Sequence, residues 1–227
     1  MPTLSFPVAA PLAQELYAHR SGLYEAMIRL LRYPQGLAHY FAGAAYLRPN
    51  LRVLDAGCGT GAATLALRAA LAQRQLLPAH FDGFDLTPGM LSRFRHALKQ
   101  LPPTSVNLAV ADVLALEDLP VTWQGYDLII SSAMLEYLPK ADLATALRGL
   151  RQRLRPDGTL VVFISRQSSW MRPFIGRWWH ANLYDKPEVR AAFQRAGFLQ
   201  VAFEAFPWPY RYLNAWGHVI VAKPAVA

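Results

Sequence analysis

Cysteine is almost missing from this chain: Cys58 is the only one in 227 residues. A lone thiol cannot close an internal disulfide and excludes a thiol-rich metal site. Nothing therefore asks for an oxidising compartment or a metal, and a cytoplasmic location is the expectation. Long hydrophobic runs are absent as well, so no segment has the length of a bilayer span. The opening MPTLSFPVAAPLAQ lacks the basic start of a secretory signal and carries three prolines, which makes it a loose arm. No internal repeat or low-complexity tract is visible, and 53% hydrophobic against 17% charged residues is a globular composition. Acidic residues are the scarcer charge, 15 against 23 basic ones, for a net charge of +8 carried mostly by arginine. One basic group, Arg148, Arg151, Arg153 and Arg155, has helical spacing and reads as a solvated face, so nucleic acid is disfavoured as a partner.

What is present is a full-sized single domain. Residues from about Pro11 to Leu47 show no strand alternation, and Leu23, Met27, Leu30 and Leu31 recur at helical spacing, which predicts cap helices over 1–47. From Leu51 the pattern becomes βαβα. Strands are predicted at Leu51–Asp55, His80–Asp85, Val106–Ala111, Tyr126–Ser131 and Thr159–Ser165. Helices are predicted at Thr60–Gln73, Pro88–Gln100 and Ala141–Leu154. Arg155, Pro156, Asp157 and Gly158 form a turn. After an irregular stretch, Pro187 opens a helix that Gly197 closes, and strands follow at Leu199–Phe206 and Trp216–Lys223. The organisation is one domain: a cap over 1–47, a core over 48–165, a connection over 166–186 that reads as a substrate lid, and a terminal unit over 187–227.

The most informative segment is VLDAGCGTG, Val53 to Gly61. An apolar strand ends on an acid and passes through alternating glycines into an Ala-rich helix, a geometry that lets backbone approach a ligand. The segment resembles the first motif of the class I S-adenosylmethionine (SAM) dependent methyltransferases, and the resemblance extends from about Asn50 to the C-terminus. It implies an α/β fold, a three-layer Rossmann-like sandwich with a seven-stranded mixed sheet of order 3-2-1-4-5-7-6, the last strand antiparallel. A nicotinamide dehydrogenase is the competing reading, because Gly57, Gly59 and Ala62 satisfy the loose G-x-G-x-x-G/A pattern. Gly61, Asp112 and the terminal strand pair argue for SAM. Within the methyltransferases the lone Cys58, set inside the glycine turn, argues against multi-cysteine arsenite chemistry and against a cysteine nucleophile for cytosine C5.

SAM, with S-adenosylhomocysteine as its product, needs acceptors for ribose hydroxyls, adenine amine and ammonium. Asp55, beside Gly57, Cys58, Gly59 and Gly61, suits the ammonium. Asp85, thirty residues on, suits both ribose hydroxyls, with Leu86 and Met90 placed to pack on adenine. Asp112 and Val113 resemble the family pair that takes the adenine amine and faces the ring. Bland readings stay open beside each: a turn aspartate at Asp55 or Asp112, core packing for Leu86 and Met90.

The acceptor end is less legible. Ser131 and Ser132 end strand four, where the family places its substrate, and Ser131-Ser132-Ala133-Met134 lacks the Pro-Pro-aromatic tip of enzymes that methylate nucleobase amines or glutamine. A small, hydrophobic or aromatic acceptor at O, N or C follows as the expectation, with methyl transfer by in-line displacement. A protonated nucleophile needs a base. The candidates are His180, Tyr184 and Glu136, the last equally readable as a helix cap. Trp170, Trp178 and Trp179, with Arg172 and Arg177, wall an acceptor, pack the connection onto the core, or touch a membrane surface. Tyr17, Arg20 and Tyr24 lie where family members often fold helices over the cofactor's carboxylate end. A non-catalytic SAM-binding subunit and a membrane-associated quinone or lipid methyltransferase remain as alternatives, and the oligomeric state is open between monomer and homodimer.

Overall fold

The structure, a computed structural model, describes residues 27–101, 106–167 and 181–224. The strands are β1 (Arg52–Ala56), β2 (His80–Asp85), β3 (Val106–Val110), β4 (Tyr126–Ser132), β5 (Leu154–Ser165), β6 (Phe198–Glu204) and β7 (Gly217–Pro224). They form a seven-stranded sheet of order β3-β2-β1-β4-β5-β7-β6. The first five are parallel neighbours, and β7 runs antiparallel to β5 and β6. The helices are α1 (Tyr33–Ala42), α2 (Ala62–Gln73), α3 (Pro88–Leu98), α4 (Leu143–Arg153) and α5 (Lys186–Arg195).

Alternation along the strands builds both faces. Val53, Phe81, Leu128, Ile130, Val161 and Phe163 point to one side and pack with Leu37 and Phe41 of α1 and Leu67 and Leu71 of α2. Leu54, Phe84, Ile129, Leu160, Val162 and Ile164 point to the other and meet Leu147 and Leu150 of α4 and Val189 and Phe193 of α5. The result is three layers in which the central strands β1 and β4 are buried on both faces, which is why they read as apolar runs, while the edge strand β3 is partly exposed.

Local chemistry sets the boundaries. α5 starts on a capping box in which the Asp185 carboxylate accepts from the Glu188 N–H and the Glu188 carboxylate from the Asp185 N–H. Gly197 follows the helix in the left-handed region. One expectation is revised. The turn Arg155–Gly158 lies inside β5: pairing with β4 jumps from Tyr126↔Leu154 to Leu128↔Thr159, so the turn residues form an irregularity in a strand that begins at Leu154. Leu30, one of the apolar residues read at helical spacing, is 84% exposed.

Candidate functional site

β1 carries Asp55 to the carboxyl end of the sheet, where the chain turns through Gly57, Gly59 and Gly61, all with positive φ. The glycines serve different ends. A Cβ on Gly61 would collide with the Phe94 ring, so this residue lets α2 start flush against α3. A Cβ on Gly59 would meet nothing within 4 Å, so its bare backbone faces open space. That space is a cavity of about 190 Å³ over the ends of β1, β2, β3 and β4.

Three carboxylates reach this cavity from three strand ends. Asp85 accepts from the Gly59 N–H at 2.8 Å on one oxygen and from the Thr87 N–H at 2.8 Å on the other, so it braces the glycine turn while bordering the cavity. Its acidity is weakened by burial, against which those two N–H bonds act. Asp55 is buried, and one oxygen accepts from the Thr64 N–H (3.1 Å) and hydroxyl (2.6 Å). Its Oδ1 has no hydrogen-bond partner. Burial raises the Asp55 pKa to about 7, opposed by the Thr64 bonds. Asp112 accepts from the Leu114 N–H at 2.9 Å. Between the carboxylates Leu86, Met90 and Val113 supply an apolar lining.

Of the other residues read as cofactor contacts, Gly57 and Cys58 line the cavity, while Cys58 also packs on Leu91 and Phe94. Burial lifts its thiol well above the ordinary range, so it is a packing residue and not a nucleophile. Two residues stand elsewhere. Gly61 sits behind the cavity under Phe94. Ser131 is buried within the β4–β5 pairing opposite Val162, and the strand's period of two hands the cavity to Ser132 instead.

A second cavity of about 100 Å³ adjoins the first, and Ile28, Tyr33, Ala133 and Tyr137 line both. Its walls are mainly Leu31, Phe163, Phe206, Leu213 and Trp216, and no lysine or arginine lines it among the described residues. Glu136 projects into this setting from the 3-10 turn Leu135–Tyr137. It is 3% exposed; its Oε1 accepts from the Ser165 hydroxyl at 2.9 Å and its Oε2 has no partner. Burial brings its pKa up to about 7. His218 also lines this cavity; burial lowers its pKa, and its Nε2 lies 3.2 Å from the Tyr184 carbonyl, a contact that makes Nε2 the protonated nitrogen of a neutral ring. The Tyr33 hydroxyl bonds Ser132 at 2.8 Å where the cavities meet.

Among the residues read as bases, Glu136 is thus in the cavity. Tyr184 is buried beneath Lys140, lines neither cavity, and has an unpartnered hydroxyl, so its part is to carry the backbone that holds Ser165 and His218. His180, the tryptophans at 170, 178 and 179, Arg172, Arg177, and the N-terminal Tyr17, Arg20 and Tyr24 lie outside the described residues. Tyr137, read beside Glu136 as a substrate contact, lines both cavities, whereas Tyr33 and His218 went unrecognised in the sequence, where no spacing links them to the motif. No cluster able to hold a metal ion occurs among the described residues, and no described helix is long and apolar enough to cross a membrane.

Comparison with known proteins agrees with this geometry. Residues 53–158 match the family model of a methyltransferase domain. A highly reducing polyketide synthase of Pyricularia oryzae is 26% identical over 216 residues, covering 86% of this chain and 7% of that protein. A carboxy-S-adenosyl-L-methionine synthase of Shewanella sp. is 30% identical over 118 residues, covering 52% of this chain and 45% of the relative. The chain thus spans less than half the length of these curated relatives. Among solved structures, magnesium protoporphyrin IX methyltransferase of Synechocystis PCC 6803 with bound SAM superposes with a TM-score of 0.67 at 15% identity over 99% of this chain and 100% of that one. The methyltransferase domain of the citrinin polyketide synthase gives 0.62 at 19% identity over 77% and 46%.

Proposed function

From a chain that carries a class I S-adenosylmethionine-dependent methyltransferase domain, we propose a methyltransferase acting on a small, apolar, protic acceptor, with Glu136 as the base. The observation that carries the reading is the adjoining pair of cavities: one bordered by a bare glycine backbone and three strand-end carboxylates, the other apolar apart from a few polar groups and holding a half-partnered glutamate.

The residues of the first cavity fit SAM. Asp55 Oδ1, buried and without a partner, suits an ammonium; Asp85 has lone pairs left for ribose hydroxyls; Asp112 with Leu86, Met90 and Val113 suits adenine. When bound, SAM supplies a methyl group already activated on a sulfonium. The protein's work is therefore to orient and to keep water out. The mainly apolar walls of the second cavity suit a dry acceptor site, and the Tyr33–Ser132 hydroxyl pair marks where they join the first. Glu136 Oε2 takes the proton of the acceptor. A carboxylate raised to about 7 is matched to that task near neutral pH, where a surface glutamate would be too weak a base. Because no lysine or arginine lines the second cavity among the described residues, an acceptor without an anionic group at its reacting end is favoured.

Calorimetry with SAM, S-adenosylhomocysteine and NADH tests the cofactor, and a screen of phenols, amines, quinones and carbon acids for S-adenosylhomocysteine release tests the acceptor. Binding of the first two alone is the expected result. NADH binding, or no SAM binding, overturns the reading.

A further inference from the structure

Beside the second cavity lies a surface that neither cavity uses. Residues 31–39 and the loop before β7 are laid together: the Tyr212 hydroxyl donates to the Leu31 carbonyl at 2.7 Å, the His39 ring meets the Trp208 carbonyl at 3.1 Å, and His39 contacts the Tyr210 ring. The apolar tips at this seam are turned outward. Leu30 is 84% exposed, Trp208, held between Pro207 and Pro209, is 77% exposed, and Tyr212 is 44% exposed. Their neighbours Leu31, Phe206 and Leu213 line the second cavity, so the exposed tips and the cavity wall belong to the same segments.

Among the described residues of these two stretches the charge has one sign. Residues 27–39 and 205–217 contain Arg29, Arg32, His39 and Arg211 and no carboxylate. Arg166 adds to them through its contact with the Asn214 carbonyl at 3.3 Å. Two acids flank these stretches: Glu204 accepts from the Tyr40 hydroxyl, and Glu25, two residues before Met27, lies outside the described residues. Exposed Trp, Leu and Tyr rimmed by arginines are the composition of a membrane-interface contact, where rings and alkyl chains enter the headgroup boundary and guanidinium groups stay at the phosphates. A second copy of the chain docked on the same patch would bring these arginines together, which disfavours self-association.

We propose that this face, Leu30, Trp208 and Tyr212 with Arg32 and Arg211, binds an anionic lipid surface. Contact there sets the wall of the second cavity against the bilayer and gives a lipid-soluble molecule a short route into it. The surface contact stands on exposure and charge, independently of methyl transfer.

Co-sedimentation with phosphatidylcholine vesicles, with and without phosphatidylglycerol, tests the proposal on the full chain, with thermal melting of each variant as the folding control. Binding is expected only with phosphatidylglycerol and should weaken as salt rises. Arg32→Glu and Arg211→Glu should each weaken it by about fivefold or more, and Trp208→Ala by roughly tenfold, with melting unchanged. Absence of binding, equal binding to neutral vesicles, or binding untouched by Trp208→Ala and Arg211→Glu overturns the proposal. So does a dimer in sedimentation velocity that Trp208→Ala dissociates, because the face would then belong to a second copy.

Discussion

Replacing Glu136 with glutamine should stabilise the protein above neutral pH while slowing methyl transfer, two opposite effects with one cause. In the unfolded chain the carboxyl ionises near 4.5; in the fold burial holds it neutral up to about 7. Below both values the proton is bound in either state and the group is neutral toward folding. As pH rises between them, the unfolded chain ionises first, and the fold loses roughly 3 kcal/mol by the time both are ionised. Glutamine never ionises and its Oε1 can keep the Ser165 bond, so the variant escapes that loss. Melting temperatures should coincide near pH 4 and diverge by roughly 5 to 10 °C in the variant's favour near pH 8. Turnover should fall by about 10²- to 10⁴-fold, the usual worth of a general base. The rise of kcat/KM through pH 7 should disappear with it. Melting scans across pH need no acceptor, and S-adenosylhomocysteine release supplies the second readout. A variant that melts no higher than the parent at pH 8, or that keeps the parental pH profile, refutes the reasoning.

Asp55 gives a second pH signature. SAM affinity should rise through about pH 7 as the carboxylate forms, and Asp55→Asn should bind more weakly with that rise flattened; calorimetry near pH 6 and pH 8 showing equal slopes for both proteins would sink the ammonium assignment. Asp85→Ala removes the acceptors of the Gly59 and Thr87 N–H groups as well as those offered to the ribose, so SAM affinity should fall by about tenfold or more with the circular dichroism spectrum retained, and unchanged affinity refutes the role. Gly61→Ala combines a left-handed φ of 87° with a collision against Phe94 and should cost about 2 kcal/mol or more in urea unfolding; a loss below about 0.5 kcal/mol would show that α2 can shift. Gly59→Ala meets no protein atom, so its stability loss should be near the backbone strain alone, about 1 kcal/mol, while SAM binding weakens; unaltered binding would place the cofactor away from this turn.

What the sequence made legible is what local rules write. The strand, glycine turn and helix at Val53–Gln73 show in residue order because φ > 0 positions demand glycine and a doubly buried strand demands an apolar run. The strand ends at Asp55 and Asp85 are legible for the same reason. Where a single residue of phase matters, pattern alone falls short: Ser131 and Ser132 are chemically identical, and only the pairing of Ser131 with Val162 decides that Ser132 borders the cavity. The turn Arg155–Gly158 is a comparable case, since its composition says reversal and the neighbouring strand absorbs it as an irregularity.

The acceptor end was illegible because its residues meet only through tertiary structure. Glu136 draws its hydrogen bond from Ser165 and shares its cavity with Leu31, Leu213 and, from the antiparallel strand β7, His218. No periodicity spans those distances, so the sequence offers a glutamate beside a tyrosine and nothing more. The energetics explain why such a group stands out once the fold is known. A half-partnered carboxyl under apolar walls is costly to ionise, and the described core offers few others like it: Asp82, 1% exposed, is fully engaged by Tyr126, Asn107 and His80. Asp55 and Glu136 are the two carboxyls with an unpartnered buried oxygen among the described residues, and they line adjoining cavities. Two destabilising groups, each poised near neutral pH on either side of the Tyr33–Ser132 junction, are what a site needs if one is to hold a cation and the other to accept a proton, and the fold tolerates both only where ligands complete them.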